Sequence, residues 1–280
     1  MVALLRRLTG DRRIGHAGTL DPLASGVLPI LVGAATRFSE ELTGGRKRYQ
    51  ATIRLGATSV TDDGEGPITP TAVDVPDDPA IHAALARMVG TFEQLPPAFS
   101  ARKLGGRTAH RVARAGDSLA LQPREVVVDA LEVLDIARGA AGTDVTIDLH
   151  CGPGTYVRSI ARDLGQALGC GGYLAALRRT EAAGLRVEDA IRPEHLEALR
   201  EQGRLAEAIL PVAKLLPLPH VQLSDHEVGR FRNGSRVAVR DLPRAGRLAV
   251  FDPREELVGI GSVAGGQLQP EKVIQGQGPA

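Results

Sequence analysis

The chain contains no tryptophan, and its 3% aromatic content comes from five phenylalanines and three tyrosines. Each tyrosine is therefore a conspicuous candidate for stacking or hydrogen bonding. Cys151 and Cys170 are the only cysteines, and no His/Cys cluster stands at zinc spacing. That argues against a disulfide scaffold or a zinc module and points to a reduced, metal-free, cytoplasmic protein. The longest apolar run, Val27 to Ala35, is interrupted by Pro29 and Gly33 and is too short to span a bilayer. Arg6 and Arg7 break the only early apolar stretch, so no secretory signal pattern is present. Net charge is also scarce, at +1 over 280 residues, so the total says nothing about partners.

The distribution of charge says more. Residues 1–50 hold eight Lys/Arg against four Asp/Glu, and residues 100–124 hold six against one. Clustered cations on a near-neutral chain suit a polyanion-binding face, although a solvated basic surface looks the same at this level. With 24% charged and 43% hydrophobic residues the chain has the composition of a folded globular protein.

The pattern predicts a mixture of helices and strands without a regular βαβ alternation, hence an α+β fold. Val2–Leu8 reads as a short amphipathic helix and Gly33–Leu42 as a second. Tyr49, Ala51, Ile53 and Leu55 alternate with polar residues, as in a half-buried strand. Thr61–Pro70 reads as a loop, Asp78-Pro79 as the start of a helix that Gly90 closes, and Val126–Leu134 and Val145–Cys151 as strands. Gly152-Pro-Gly154 turns the chain into a helix over Tyr156–Leu168. Ser100–Gly116 reads as a basic hairpin arm and a short helix, within an arm spanning about 96–124. Beyond Leu210 the prolines multiply and short apolar pairs alternate with Gly, Asn and Pro, predicting a small all-β module. The division is expected near residue 214, giving domains 1–214 and 215–280.

One segment invites a chemical question. In GHAGTLDPLASG, residues 15–26, a single carboxylate, Asp21, stands among residues with little side-chain bulk. Pro22 disfavours a helical conformation at Asp21, and the surrounding glycines allow a backbone or ligand to approach closely. A turn in which Asp21 caps the backbone is the simple explanation. A phosphoaspartyl centre would want a further acid and magnesium ligands nearby. A glycosidase would want a second carboxylate, and covalent or ion-pair chemistry at a sugar carbon would need only one. Tyr49, beside Arg46-Lys47-Arg48, and Tyr156, two residues before Arg158, pair aromatic faces with cations, as sites for unstacked nucleotides do. Arg158 falls in the first turn of a helix, where the dipole favours anions, so it would suit a carboxylate or phosphate partner.

Gly15-His-Ala-Gly-Thr-Leu-Asp21-Pro-Leu-Ala-Ser-Gly26 resembles the catalytic motif of the bacterial tRNA pseudouridine-55 synthase family. Lys47-Arg-Tyr49, Gln94-Leu-Pro-Pro97, Ser100-Ala-Arg-Lys103, Gly154-Thr-Tyr-Val-Arg158 and Leu177-Arg-Arg179 follow in that family's order. The resemblance covers about residues 2–215, and Val250–Pro253 with Gly266–Val273 look like its small C-terminal PUA-type domain. It implies a mixed, mainly antiparallel sheet with flanking helices, followed by a PUA-like β domain. It implies an isomerase that detaches a uracil in the T-loop of tRNA, rotates it and rejoins it through carbon, with no cofactor, no metal, no membrane and no protein partner.

By the same resemblance Asp21 is the catalytic carboxylate, attacking the ribose or removing its 2′ proton. Tyr49 stacks on the flipped base, Tyr156 lines the same pocket, Arg158 pairs with Asp21, Leu177 forms an apolar wall and His16 wedges into the vacated loop. Lys47, Arg48, Lys103, Arg107, Arg111 and Arg114 would hold RNA phosphates. A base in a folded loop must be extruded before its glycosidic carbon is reachable. The family usually opens with a further strand carrying Lys-Pro-x-Gly-x-Ser/Thr, and without it a sheet is expected to lack one strand. Two competing readings follow: a T-arm-binding protein that helps tRNA fold with little or no catalysis, and a hydrolase of a nucleoside sugar.

Overall fold

The computed structural model describes residues 1–99, 121–140, 142–239, 242–243 and 245–275, together with the strand backbone at 103–104 and 107–108. In chain order the elements are α1 (Val2–Thr9), β1 (Ile14–His16), β2 (Ala24–Gly26), β3 (Ile30–Val32), α2 (Ser39–Thr43), β4 (Lys47–Leu55), β5 (Ala57–Ser59) and β6 (Ile68–Pro70). There follow α3 (Asp78–Ala86), β7 (Gly90–Gln94), β8 (Lys103–Leu104), β9 (Arg107–Thr108), β10 (Arg124–Gly139), β11 (Gly142–Cys151), α4 (Val157–Ala167), β12 (Gly172–Ala182) and β13 (Leu185–Arg186). The last third holds α5 (Pro193–Glu201), β14 (His220–Gln222), α6 (Asp225–Arg232), β15 (Gly246–Phe251), β16 (Leu257–Ala264) and β17 (Gln267–Val273). These form two compact units: Met1–Gly18 with Pro29–Thr43 and Ile191–Ala280, and Thr19–Leu28 with Gly44–Ala190.

The second unit is built on a seven-stranded sheet in the order β13-β12-β4-β11-β10-β7, with β2 added alongside β12. All pairings are antiparallel except the parallel contact of β2 with β12, which is the mixed, mainly antiparallel sheet expected. The alternation in β4 does what the sequence predicts: Tyr49, Ala51, Ile53 and Leu55 are buried, while Arg48 and Gln50 are exposed. The buried side of the sheet receives Val157, Ile160, Ala161 and Leu164 of α4 and Ile81 and Leu85 of α3 in one apolar cluster. β8 and β9 pair antiparallel, so the basic arm contains the expected hairpin. Its short helix lies outside the described residues.

In the first unit β1 and β3 pair antiparallel, and Leu5 and Leu8 of α1 pack with Ile14 and with Leu196 of α5. A four-stranded sheet, β14-β15-β16-β17, has its own core of Leu223, Val228, Phe231, Val237, Leu248, Val250, Val258 and Leu268. This region is not all-β, because α6 contributes Val228 and Phe231 to that core. Ser224 and Glu227 form a capping box at its start, a Ser-x-x-Glu signal that overrides the Gly/Pro texture around it.

Local boundaries also move. Gly33 takes a left-handed φ of +61° and Thr36 donates its hydroxyl to the Gly33 carbonyl at 2.7 Å. Residues Gly33–Phe38 therefore form a tighter 3-10 turn ahead of α2, not one continuous helix. The α3 cap is Asp77, whose carboxylate accepts from the Ala80 amide, one residue before the expected Asp78. Gly90, at φ +111°, starts β7 and does not end α3, which stops at Arg87. Within the expected loop over Thr61–Pro70, residues 68–70 pair with β5 as a strand.

Candidate active site

The Asp21 segment reaches the large sheet through β2. Ala24, Ser25 and Gly26 run parallel to Leu177, Arg178 and Arg179, and the Val27 amide donates to the Arg179 carbonyl at 2.9 Å. Gly26 makes this approach possible. Its φ is +106°, and a β-carbon there would lie 2.1 Å from the Arg179 carbonyl oxygen. The Ala24 amide closes a turn on the Asp21 carbonyl at 2.9 Å. Asp21 leaves this turn with its side chain 32% exposed.

Arg158, in the first turn of α4, meets it. Nε donates to Oδ2 at 2.9 Å and Nη2 to Oδ1 at 3.2 Å, a two-point grip that sets the plane of the carboxylate. Only 6% of the Arg158 side chain is exposed. Its remaining nitrogen, Nη1, donates to the carbonyls of Phe99 and Thr61 at 2.9 and 3.2 Å and lies 3.5 Å from Oδ2 of buried Asp63. Two carboxylates and two carbonyls thus offset the burial of a cation at the unfavourable end of a helix.

The start of α4 is itself held. The Gln94 side chain donates to the Tyr156 carbonyl at 3.1 Å and accepts from the Tyr156 amide at 2.9 Å. Ser159 and Arg162 both donate to the Leu95 carbonyl at 2.8 Å. Arg162, one turn beyond Arg158, also bonds Asp62 at 3.2 Å. Burial pushes the Asp62 carboxyl up, against the opposing pull of Arg162.

Tyr49 is buried on β4, facing Arg179 on β12 and Leu149 on β11. Leu177, two residues before Arg179, shares its apolar cluster, and Leu23 and Ala24 from the Asp21 segment pack against that cluster. Burial pushes the Tyr49 hydroxyl up to about 12, with Cys151 adding to the rise, Arg179 opposing it and Asp21 reinforcing it. Asp21, Tyr49, Arg158 and Leu177 therefore converge. Tyr156 is the half-buried cap residue of α4 immediately before this point.

The other expected residues are dispersed. His16 is an exposed residue at the end of β1 in the first unit. Arg48 pairs with Asp148 at 2.8 Å on the outer side of the sheet. The half-buried Lys47 donates to the Gly45 carbonyl at 2.8 Å, and burial lowers its ammonium. Lys103 and Arg107 stand opposite Thr108 and Leu104 in the arm hairpin, while Arg111 and Arg114 lie outside the described residues. Sequence reasoning missed Asp63, which sat in a stretch read only as a loop. It also assigned no role to Gln94 or Arg179, although both stood inside quoted motifs.

Among the described residues no helix is long and apolar enough to cross a membrane. The sequence profile of the TruB family pseudouridylate synthase N-terminal domain matches residues 6–157. The tRNA pseudouridylate synthase B C-terminal domain matches 158–217, and the pseudouridine synthase II TruB C-terminal profile matches 219–274. The tRNA pseudouridine synthase B of Cupriavidus metallidurans is 40% identical, covering 96% of this chain and 88% of the relative. That of Ralstonia nicotianae is 41% identical, covering 97% and 89%. A chain in the crystal structure of a Cbf5-Nop10-Gar1 complex superposes with a TM-score of 0.69 at 28% identity, over 93% of this chain and 72% of its own length. One in an H/ACA RNP bound to a substrate RNA containing 2′-deoxyuridine gives 0.72 at 26% identity, over 98% and 80%. The family profiles together match nearly the whole sequence, the relatives are 40–41% identical over 96–97% of it, and the chain belongs to the TruB family of pseudouridylate synthases.

Proposed function

We propose that this isomerase, which converts uridine in tRNA to pseudouridine, acts at uridine 55 of the T-loop with Asp21 as its catalytic carboxylate. The observation that carries the assignment is the two-point grip of Arg158 on Asp21, which holds one partly exposed carboxylate in a fixed plane. In the reaction the C1′–N1 bond of the nucleoside breaks, the uracil turns, and a C1′–C5 bond forms. The proton on C5 leaves and N1 gains one, so the change is an isomerisation and needs no oxidant or reductant.

Asp21 acts at the sugar, either on C1′ or on the 2′ proton. Tyr49 offers a neutral phenol ring to the extruded base, because burial disfavours its phenolate at neutral pH. Leu177 supplies an apolar wall, Tyr156 a second face, and His16 fills the gap in the RNA loop. Lys47, Arg48, Lys103, Arg107, Arg111 and Arg114 contact phosphates. Residues 215–280 act as a PUA-like RNA-binding module joined to a catalytic domain over 1–214, and the protein works in the cytoplasm. The presence of Asp21, Tyr49, Tyr156 and Arg158 favours catalysis over a purely tRNA-folding role, since a pure binder needs no lone carboxylate among phosphates, and a nucleoside hydrolase would release free uracil.

The test is tritium release from tRNA carrying 5-tritiated uridine, with free uracil assayed in parallel. The expected result is release without free uracil, abolished by Asp21→Asn and by cytidine at position 55. Release from the cytidine-55 tRNA would overturn the position. An Asp21→Asn variant as active as the original chain would overturn the catalytic assignment.

A further inference from the structure

Arg179 is the largest fully buried side chain among the described residues, with 1% of the residue exposed. A cation is seldom buried so completely without a task for it. Its donors go to places that matter for the proposed site. Nε donates to the Val27 carbonyl at 2.9 Å and Nη1 to the Thr19 carbonyl at 3.1 Å. Those two carbonyls flank Asp21 on either side of its turn, so one guanidinium ties both limbs of the segment to the sheet. The fork is reinforced by the backbone of the same residue, whose carbonyl accepts from the Val27 amide.

The same side chain also addresses Tyr49. Arg179 and Tyr49 stand directly opposite each other in the antiparallel register of β12 and β4, so their side chains share a face of the sheet. Against the rise that burial imposes on the Tyr49 hydroxyl, the cation on that shared face favours the ionised phenol.

We infer that Arg179 is a positioning residue for the isomerisation, coupling the Asp21 turn to the Tyr49 hydroxyl through a single buried guanidinium. The inference rests on the reading of Asp21 and Tyr49 given above. A lysine at this position carries the charge but presents its donors from one point, and does not span the Val27 and Thr19 carbonyls at once. Arg179 therefore acts on the chemical step, and tRNA affinity does not depend on it.

The experiment is a double-mutant cycle read by single-turnover tritium release, with tRNA affinity measured in parallel. Arg179→Lys is expected to slow release at least about tenfold while tRNA Kd stays within about twofold. In a Tyr49→Phe background the same change is expected to cost clearly less, because one of the groups it positions is already gone. Backbone hydrogen exchange should accelerate at residues 20–28 and stay unchanged in β11. If Arg179→Lys does not fold, Arg179→Gln, which keeps one donor, is measured the same way.

Three results would overturn the inference: an unchanged single-turnover rate, an equal penalty in both backgrounds, or a rate loss matched by a loss of tRNA affinity. Failure of the underlying functional reading is distinguishable, since the unmodified chain would then release no tritium in the same assay.

Discussion

Arg158 and Asp21 are 137 positions apart in sequence, yet two nitrogens of one meet two oxygens of the other at 2.9 and 3.2 Å. The guanidinium is nearly fully buried and the carboxylate one third exposed. The pair is thus rigid on its inner side and open on its outer side. The proposed action of Asp21 at the sugar calls for that combination.

Replacing Arg158 tests the grip. Arg158→Lys keeps a charge but loses the two-point geometry on Asp21 and weakens the contact with buried Asp63. Truncating one partner of a buried pair costs about 3–5 kcal/mol. A lysine recovers part of that stability but not the fixed plane of the carboxylate, and misplacing a reacting group by about 1 Å costs on the order of 100-fold in rate, which is the loss expected. Single-turnover tritium release is the measurement, and a change below threefold would contradict the assigned role.

Gly26→Ala should be disabling for a geometric reason. The added methyl would stand 2.1 Å from the Arg179 carbonyl oxygen at a φ of +106°, so β2 must move off β12. A cost of at least about 2 kcal/mol is expected from strain and overpacking together. Thermal unfolding should fall by several degrees, and tritium release should fall further than Tm alone explains, since β2 carries the Asp21 turn.

Tyr49 sets a signature at alkaline pH. Its hydroxyl is raised from the ordinary 10 to about 12. A raised value means that the folded state holds the proton more tightly than the unfolded state. This stabilising contribution is complete below pH 10 and is lost as pH rises toward 12. Ultraviolet titration should show a phenolate component with a midpoint of about 12, and Tyr49→Phe should remove it.

In the first unit the sign is opposite. Burial would raise the Glu41 carboxyl, but hydrogen bonds from Arg247 at 2.7 Å and Lys272 at 3.1 Å outweigh it and hold the carboxyl below the ordinary value. The stabilisation is present above pH 4.5 and is lost as pH falls. Glu41→Gln should cost about 1–3 kcal/mol near neutrality. The difference from the unmodified chain should shrink in acid, as followed by urea unfolding at several pH values.

The basic arm makes an ionic prediction. If Lys103 and Arg107 each neutralise a phosphate, the double alanine variant should lower the slope of log affinity against log salt by about 2. Affinity measured over a salt series decides it. An unchanged slope would remove both residues from the RNA contact.

Much of the fold was legible because its signals are local. The alternation of Tyr49, Ala51, Ile53 and Leu55 places the right face of β4 in the core, and the four-residue repeat of Ile160 and Leu164 marks the buried side of α4. Errors arose where a local bond competes with a periodic one. Thr36 tightens the turn after Gly33, and Ser224 with Glu227 starts a helix in a stretch whose glycines and prolines suggest strands.

The sequence by itself determined which groups are available: one carboxylate among small residues, tyrosines beside cations, and an arginine at a helix start where an anion is the natural partner. It identified the family, because those groups recur in a set order. What only the tertiary structure decided is which groups meet. Asp63 looked like a loop residue until the turn over residues 61–63 brought it to Arg158. Arg179 stood in a motif without an assigned role until the register of β12 with β4 and β2 enclosed it. Such contacts depend on strand pairing between distant segments, and a shift of one residue would send each side chain to the other face of the sheet.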